Sequence, residues 1–297
     1  MKAINGIIPP ITTPFHNDES LALNKLSENL AKYMEYELSG FLILGSNGEA
    51  YSLTMNEKIQ VLKTARSSIP ADRFMMAGTG CQSTLETIDL CKEAASAGAD
   101  AVLVLNPFYY KGRMTSEALE HHYRAVADAS PSPVFIYNMP ASTGIDLEAE
   151  LIIRLAEHSN IAGLKDSGGN ITKMGDILMH VDTDFTVLSG SAGTLLASLL
   201  LGAKGGIVAF ANIAPQKSID LYQKVHAGML EDARQLQLEI IRLNTMVTRK
   251  FGVPALKVVM DMLGLYGGPP RSPLLPVNEE LRLQLETAMI EAGIRPF

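Results

Sequence analysis

The side chain with the clearest chemical potential is Lys165, in the run IAGLKDSGG, where one long cation follows an apolar stretch and precedes a glycine pair. A buried ammonium gives up its proton more readily than a solvated one, and the free amine attacks a ketone to form a Schiff base. A lysine at the end of an element can equally snorkel to water. Tyr137 closes a second apolar run, VFIY. A phenol there can shuttle the protons that carbinolamine formation and carbon–carbon cleavage require, or sit in a core with its hydroxyl on a backbone carbonyl. The turn Gly45-Ser46-Asn47-Gly48-Glu49 can nest a carboxylate through successive N–H groups and the Ser46 hydroxyl. A plain turn, satisfied locally by Ser46 and Asn47, is the alternative. Ser189-Gly190-Ser191-Ala192-Gly193 reads as an anion-binding loop or as a helix entry with Ser191 as N-cap.

These residues can share a site only if the elements carrying them converge. Short apolar or β-branched runs predict strands at 4–11, 40–44, 73–77, 101–105, 134–137, 161–164, 186–188 and 206–209. Helical patterns separate them at 21–37, 54–68, 83–97, 115–129, 147–158, 171–181, 192–202 and 215–227. Strand–helix units repeated over roughly 225 residues match an α/β fold of the (β/α)8 TIM-barrel type, typically ~250 residues, whose chemistry gathers at the C-terminal ends of the strands. A doubly wound open sheet is the alternative. Beyond residue 228 only helical patterns follow, at 229–247, 254–264 and 278–292, with GLYGGPPRSPLLP between the last two. The expected division is a catalytic barrel over 1–227 and a helical C-terminal domain over 228–297.

Composition excludes several classes of function. The 297 residues carry 25 Lys and Arg against 32 Asp and Glu, a net charge of −7, with no basic run longer than Arg249-Lys250. Nucleic-acid affinity needs clustered cations, so that partner is not expected. Pro9 and Pro10 break the apolar N-terminus, and the most membrane-like stretch, 192–203, falls short of the ~20 residues that span a bilayer. Cys81 and Cys91 form no CxxC pair, and no HxH, HExxH or carboxylate cluster is present, so neither a metal nor a disulfide is expected and a reducing cytoplasm fits. Gly78-Thr79-Gly80 begins a dinucleotide-like pattern, but Ser83 stands at the third glycine. His121 and His122 are adjacent, not i, i+4, which suits a solvated or capping role.

Read in order, GSNGE at 45–49, Tyr109, YNMPASTG at 137–144, GLKDSGG at 163–169 and LSGSAG at 188–193 resemble the pyruvate-dependent class I aldolases, the family that includes dihydrodipicolinate synthase and N-acetylneuraminate lyase. The resemblance covers nearly the whole chain. Within the family it is most similar to the 4-hydroxy-2-oxoglutarate aldolases, through YYKGRM at 109–114, KDSGG at 165–169, GSAG at 190–193, VTRKFG at 247–252 and YGGPPRSPL at 266–274.

The resemblance implies that Lys165 is the Schiff-base lysine and Tyr137 the general acid/base, with Ser46 and Asn47 holding the pyruvyl carboxylate. It implies that Tyr109 completes a proton relay across a subunit interface, that Gly190 and Ile207 line the pyruvate site through backbone groups, and that Ser167 contacts substrate. It further implies a cofactor-free enzyme acting on a small 2-oxo acid, usually a homotetramer built as a pair of dimers. The synthases carry GTTGE where this chain has Ser46 and Asn47, and an arginine where it has Ser142; that arginine grips the carboxylate of the incoming aldehyde. Losing a bidentate cation argues against the synthase reaction unless Arg271 or Arg113 acts from another direction. The expected reaction is therefore reversible cleavage of 4-hydroxy-2-oxoglutarate to pyruvate and glyoxylate. A dihydrodipicolinate (4-hydroxy-tetrahydrodipicolinate) synthase or a sugar-acid 2-keto-3-deoxy aldolase is the alternative on the same scaffold. A non-catalytic keto-acid sensor would require neither the amine nor the phenol.

Overall fold

The computed structural model describes residues 4–296. Eight strands, β1 (Gly6–Ile8), β2 (Gly40–Ile43), β3 (Phe74–Gly78), β4 (Ala101–Leu105), β5 (Val134–Asn138), β6 (Ile161–Asp166), β7 (Thr186–Ser189) and β8 (Gly205–Ile207), form one sheet in the order β1-β8-β7-β6-β5-β4-β3-β2. All the pairings are parallel. The ring closes between β1 and β2, where Leu42 N–H donates to Pro9 O (3.0 Å) and Ile11 N–H to Leu42 O (2.8 Å). The fold is a TIM barrel with a helical C-terminal extension.

Period-two alternation sorts each strand into an inner and an outer row. Ile8, Leu42, Phe74, Met76, Leu103, Leu105, Phe135, Tyr137, Leu188 and Ile207 form the apolar interior of the barrel. Their neighbours Ile7, Phe41, Ile43, Met75, Val102, Val104, Ile136, Leu164 and Val187 belong to the second core, between the sheet and the helices.

The surrounding helices are α1 (Leu23–Tyr33), α2 (Met55–Ser68), α3 (Thr84–Ser96), α4 (Ser116–Ala129), the short α5 (Pro140–Thr143), α6 (Ala149–Ala156), α7 (Ile171–His180), α8 (Leu195–Leu201) and α9 (Pro215–His226). Local chemistry starts several of them. Thr54 and Glu57 form a capping box on α2, and Ser83, Thr115 and Asn170 accept from N3 amides of α3, α4 and α7. After the barrel come α10 (Leu230–Thr245), a π-helical turn at Met246–Lys250, α11 (Gly252–Met262) and α12 (Glu279–Glu291). No helix among the described residues is long and apolar enough to cross a membrane.

Several elements differ from their sequence reading. The strand expected at 4–11 stops at Ile8, because Pro9 and Pro10 have no N–H for a ladder. The strand expected at 161–164 continues through Asp166, so Lys165 lies within β6 and not after it. The helix expected at 192–202 opens with a 3₁₀ turn at Ala192–Thr194 before α8 begins. His122 is neither solvated nor capping. It joins Leu119, Tyr123 and Val126 on the buried stripe of α4, with Nδ1 2.9 Å from Thr84 Oγ1.

Candidate active site

In the parallel ladder Leu105 pairs with Tyr137, Tyr137 with Lys165, and Lys165 with Leu188. Register partners on adjacent strands face the same side, so Tyr137 and Lys165 belong to one inward-facing row near the strand ends. Both are buried, at 5% and 3% exposure. Lys165 Nζ lies 4.1 Å from the centroid of the Tyr137 ring, and Ser46 Oγ is 3.4 Å from the Tyr137 hydroxyl. Burial pushes the phenol up, but the Lys165 charge and hydrogen bonds with Ser46, Lys165 and Ser167 outweigh it, so the phenol rests below its ordinary value.

Ser46 and Asn47, both half-buried, form a 3₁₀ turn with Gly48 just after β2. Two non-glycine residues with positive φ bracket this turn, Leu44 (φ 60°) and Glu49 (φ 51°). Such backbone is costly for an L-residue and persists only where surrounding contacts hold it. Glu49 supplies those contacts. Its buried carboxylate pairs with Lys257 Nζ of α11 at 2.5 Å and accepts from Arg271 N–H at 2.8 Å.

Ser167 and Gly190 meet where β6 and β7 end. Gly190 N–H donates to Asp166 O at 2.7 Å, and Ser167 Oγ–H to Gly190 O at 3.4 Å. A Cβ at position 190 would lie 1.9 Å from Ser167 Oγ, so glycine is required for this approach. Ile207 ends β8 as a fully buried interior residue. Ser142 stands exposed on α5 and, with Met139, Ser167, Gly190, Ser191, Thr248 and Arg249, lines a cavity of about 570 Å³ at the barrel mouth. That volume suits a small organic substrate.

Tyr109 is not brought to the other candidates within one chain. It is 76% exposed, its ring edge-on to that of Tyr110, which is exposed as well. Arg271 is not free to bind an aldehyde: its guanidinium holds Glu57 at 2.7 and 2.9 Å and donates to Ser52 O and Glu19 O. Arg113 sits on an exposed 3₁₀ turn and does not line the cavity. Among the described residues no group of three or more His, Cys, Asp or Glu could hold a metal ion.

Two groups of residues escape sequence reasoning. One is the network behind Lys165, where Asn138 Nδ2 donates to Asp166 Oδ1 (2.6 Å) and Asp146 Oδ1 (2.8 Å), and Lys173 pairs with Asp146. Alternation points Asp166 away from the barrel interior, so this network clamps β5 to β6 without entering the cavity. The other is Lys257, a charged residue on the buried face of α11 beside Leu256 and Met260. A lysine among buried apolar positions is a readable signal, because such a charge needs a partner.

The sequence profile of the dihydrodipicolinate synthetase family matches residues 3–292. The chain is 35% identical over 294 residues to the "Probable 4-hydroxy-2-oxoglutarate aldolase, mitochondrial" of Emericella nidulans, covering 97% of this chain and 95% of that protein. It is also 35% identical to the 4-hydroxy-tetrahydrodipicolinate synthase of Archaeoglobus fulgidus, with 93% of each covered. Among solved structures it superposes on a dihydrodipicolinate synthase from Bacillus anthracis with TM-score 0.94 at 29% identity, covering 98% and 99% of the two chains. It likewise matches the chloride-inhibited dihydrodipicolinate synthase from Acinetobacter baumannii complexed with pyruvate, with TM-score 0.92 at 34% identity, covering 98% of this chain and all of that one.

Proposed function

The chain belongs to the dihydrodipicolinate synthetase family, a family of lyases and aldolases, and from that premise we propose that it cleaves 4-hydroxy-2-oxoglutarate reversibly to pyruvate and glyoxylate. One observation carries this reading: a buried lysine amine lies directly against a phenol that is itself joined to the Ser46 turn.

The Lys165 amine adds to the C2 carbonyl, giving a carbinolamine that loses water to form a protonated imine. Tyr137 passes the protons of that dehydration. The C3–C4 bond then breaks with its electron pair drawn into the imine, while the Tyr137 oxygen accepts the proton of the 4-hydroxyl and glyoxylate departs. The resulting enamine takes a proton at C3. Water adds to the imine so formed, releasing pyruvate and returning the free amine. Ser46 and Asn47 hold the C1 carboxylate throughout. Gly190 and Ile207 line the pyruvyl half through their backbone, and Ser167 and Ser142 border the departing aldehyde.

The barrel over 1–227 carries this chemistry, and the helices over 228–297 brace it through Lys257. A homotetramer is the proposed assembly, with the exposed Tyr109 and Tyr110 pair covered by a second copy that receives Tyr109 into its relay. Cys81 and Cys91 are buried free thiols, which suits a reducing cytoplasmic compartment. The second reading, condensation by a synthase, is favoured by the equal identity to the Archaeoglobus fulgidus enzyme. Ser142 opposes it, since no guanidinium is anchored at that position.

The decisive test is borohydride trapping after incubation with pyruvate, read by peptide mass spectrometry. A reduced pyruvyl adduct on Lys165, absent from Lys165→Ala, is the expected result. A folded wild-type protein that traps no pyruvate would overturn the reading. Cleavage assays with 4-hydroxy-2-oxoglutarate, run beside synthase and sugar-acid substrates, then separate the reactions.

A further inference from the structure

The mouth cavity is lined by serines, glycines and apolar side chains, with a single charged group, the guanidinium of Arg249. No hydrogen bond or ion pair within the chain occupies Arg249 among the described residues, whereas Arg66, Arg73, Arg124, Arg154, Arg234 and Arg271 all donate to carbonyls or carboxylates. An unpaired cation facing an uncharged hollow provides a binding point for an anion.

Its placement is built into the fold. Arg249 rides on the π-helical turn that interrupts the long helical run after the barrel, a distortion often found at functional positions. Buried Met246 and Val247 anchor the turn, and Thr248 Oγ1–H donates to Asn244 O at 2.6 Å. The preceding helix is tied to the β7 loop by Gln237, which donates to Ala192 O (2.9 Å) and accepts from Leu196 N–H (3.2 Å). Gly169 (φ +75°), two residues beyond Ser167, adjoins the guanidinium: a Cβ there would lie 3.4 Å from Arg249 Nη2, at ordinary contact distance. The guanidinium therefore stands beside the segment that follows the strand carrying Lys165.

Direction supplies the remaining step. In the strand order β2 and β6 lie on opposite sides of the ring. A substrate joined to Lys165, with its C1 carboxylate toward the β2 turn, extends its other end to the β6–β7 wall, where Ser167, Gly190 and Arg249 stand. We propose that Arg249 is the specificity-determining cation, binding the carboxylate on the aldehyde half, so that the chain selects small aldehydes bearing an anionic carboxylate over neutral ones. This rests on the Schiff-base reading above.

The test compares kcat/KM of wild type, Arg249→Ala and Arg249→Lys for 4-hydroxy-2-oxoglutarate and for 4-hydroxy-2-oxopentanoate, which has a methyl group in place of the distal carboxylate. Wild type should prefer the dicarboxylate. In Arg249→Ala that preference should fall by about 10- to 100-fold, mainly through KM, as expected for a lost charge-assisted pair. Arg249→Lys should keep an intermediate preference, because it retains the charge without the fork. An undiminished preference in Arg249→Ala, with pyruvate trapping showing the variant folded, overturns the inference. A wild type that traps pyruvate on Lys165 without preferring the dicarboxylate overturns it too and leaves the Schiff-base reading standing. Failure of wild type to trap pyruvate removes both.

Discussion

Glu49 and Lys257 form an ion pair with both side chains almost wholly excluded from solvent, joining the turn after β2 to helix α11. Lys257 Nζ also donates to Pro269 O at 3.0 Å and lies 4.5 Å from the centroid of the Phe15 ring. Burial lowers the lysine from its ordinary value, and Glu49 opposes that shift. Removing one partner from such a pair strands the other charge, which typically costs ~3–5 kcal/mol. Lys257→Met should therefore lose stability of that order in denaturant unfolding. Lys257→Met with Glu49→Gln should recover part of it. A single variant as stable as wild type would show that the pair does not hold the turn.

Tyr137→Phe retains the ring against Lys165 and removes the proton shuttle. We predict a fall in kcat of ~10²–10⁴, the usual contribution of a positioned acid or base, with pyruvate still trapped on Lys165 after long incubation but more slowly, since the phenol also serves the dehydration. Stopped assays of cleavage beside trapping by mass spectrometry separate the two steps. Near-normal turnover in the variant would assign the proton transfers to another group.

His122 is buried neutral, and burial pushes it down to about 4. A histidine whose folded value lies below its unfolded value of ~6.5 binds fewer protons in the native state, so stability is complete above ~6.5 and is lost as pH falls toward 4. The full effect is about 3 kcal/mol. Wild type should lose stability between pH 6.5 and 4 more steeply than His122→Gln, measured by urea unfolding at a series of pH values. Parallel curves for the two proteins would contradict this.

Tyr109 is exposed in the single chain but is proposed to act in a neighbouring one. Tyr109→Phe should lower kcat by about 10- to 100-fold while light scattering still reports the assembled species. Activity per subunit in wild type should fall on dilution to the monomer. A fully active monomer would remove Tyr109 from the relay.

The parts of this molecule that were legible in sequence are those governed by period and local chemistry. The apolar run 101–105 is β4 with the same bounds, and Thr54 with Glu57 marks the start of α2. Lys165 and Tyr137 could be singled out because each interrupts or closes an apolar run. Features set by tertiary packing were harder to read. The burial of His122 depends on which stripe of α4 meets the barrel. The π turn at 246–250 adds a residue to one helical turn without changing residue types, so the sequence shows Arg249 and Lys250 only as a basic pair and not which of them borders the cavity. The partners of Asp166 and Lys257 come from elements distant in sequence, and no local pattern announces them.

The proline pair after β1 has a consequence for the order in which the molecule is completed. Because Pro9 and Pro10 cannot donate, groups from much later in the chain hold the segment that seals the ring. Asn212 Nδ2 donates to Pro10 O (3.0 Å), Tyr266 hydroxyl to Phe15 O (3.0 Å) and Thr12 Oγ1 to Met260 Sδ (3.5 Å), while Lys257 and Arg271 both lie over the Phe15 ring. During synthesis those residues leave the ribosome about 200 to 260 positions after the segment they hold. The segment 9–15 therefore waits for residues 212–271 before it is fastened, and in ribosome-bound chains arrested before α11 the amides of residues 12, 13 and 15 should exchange freely with solvent.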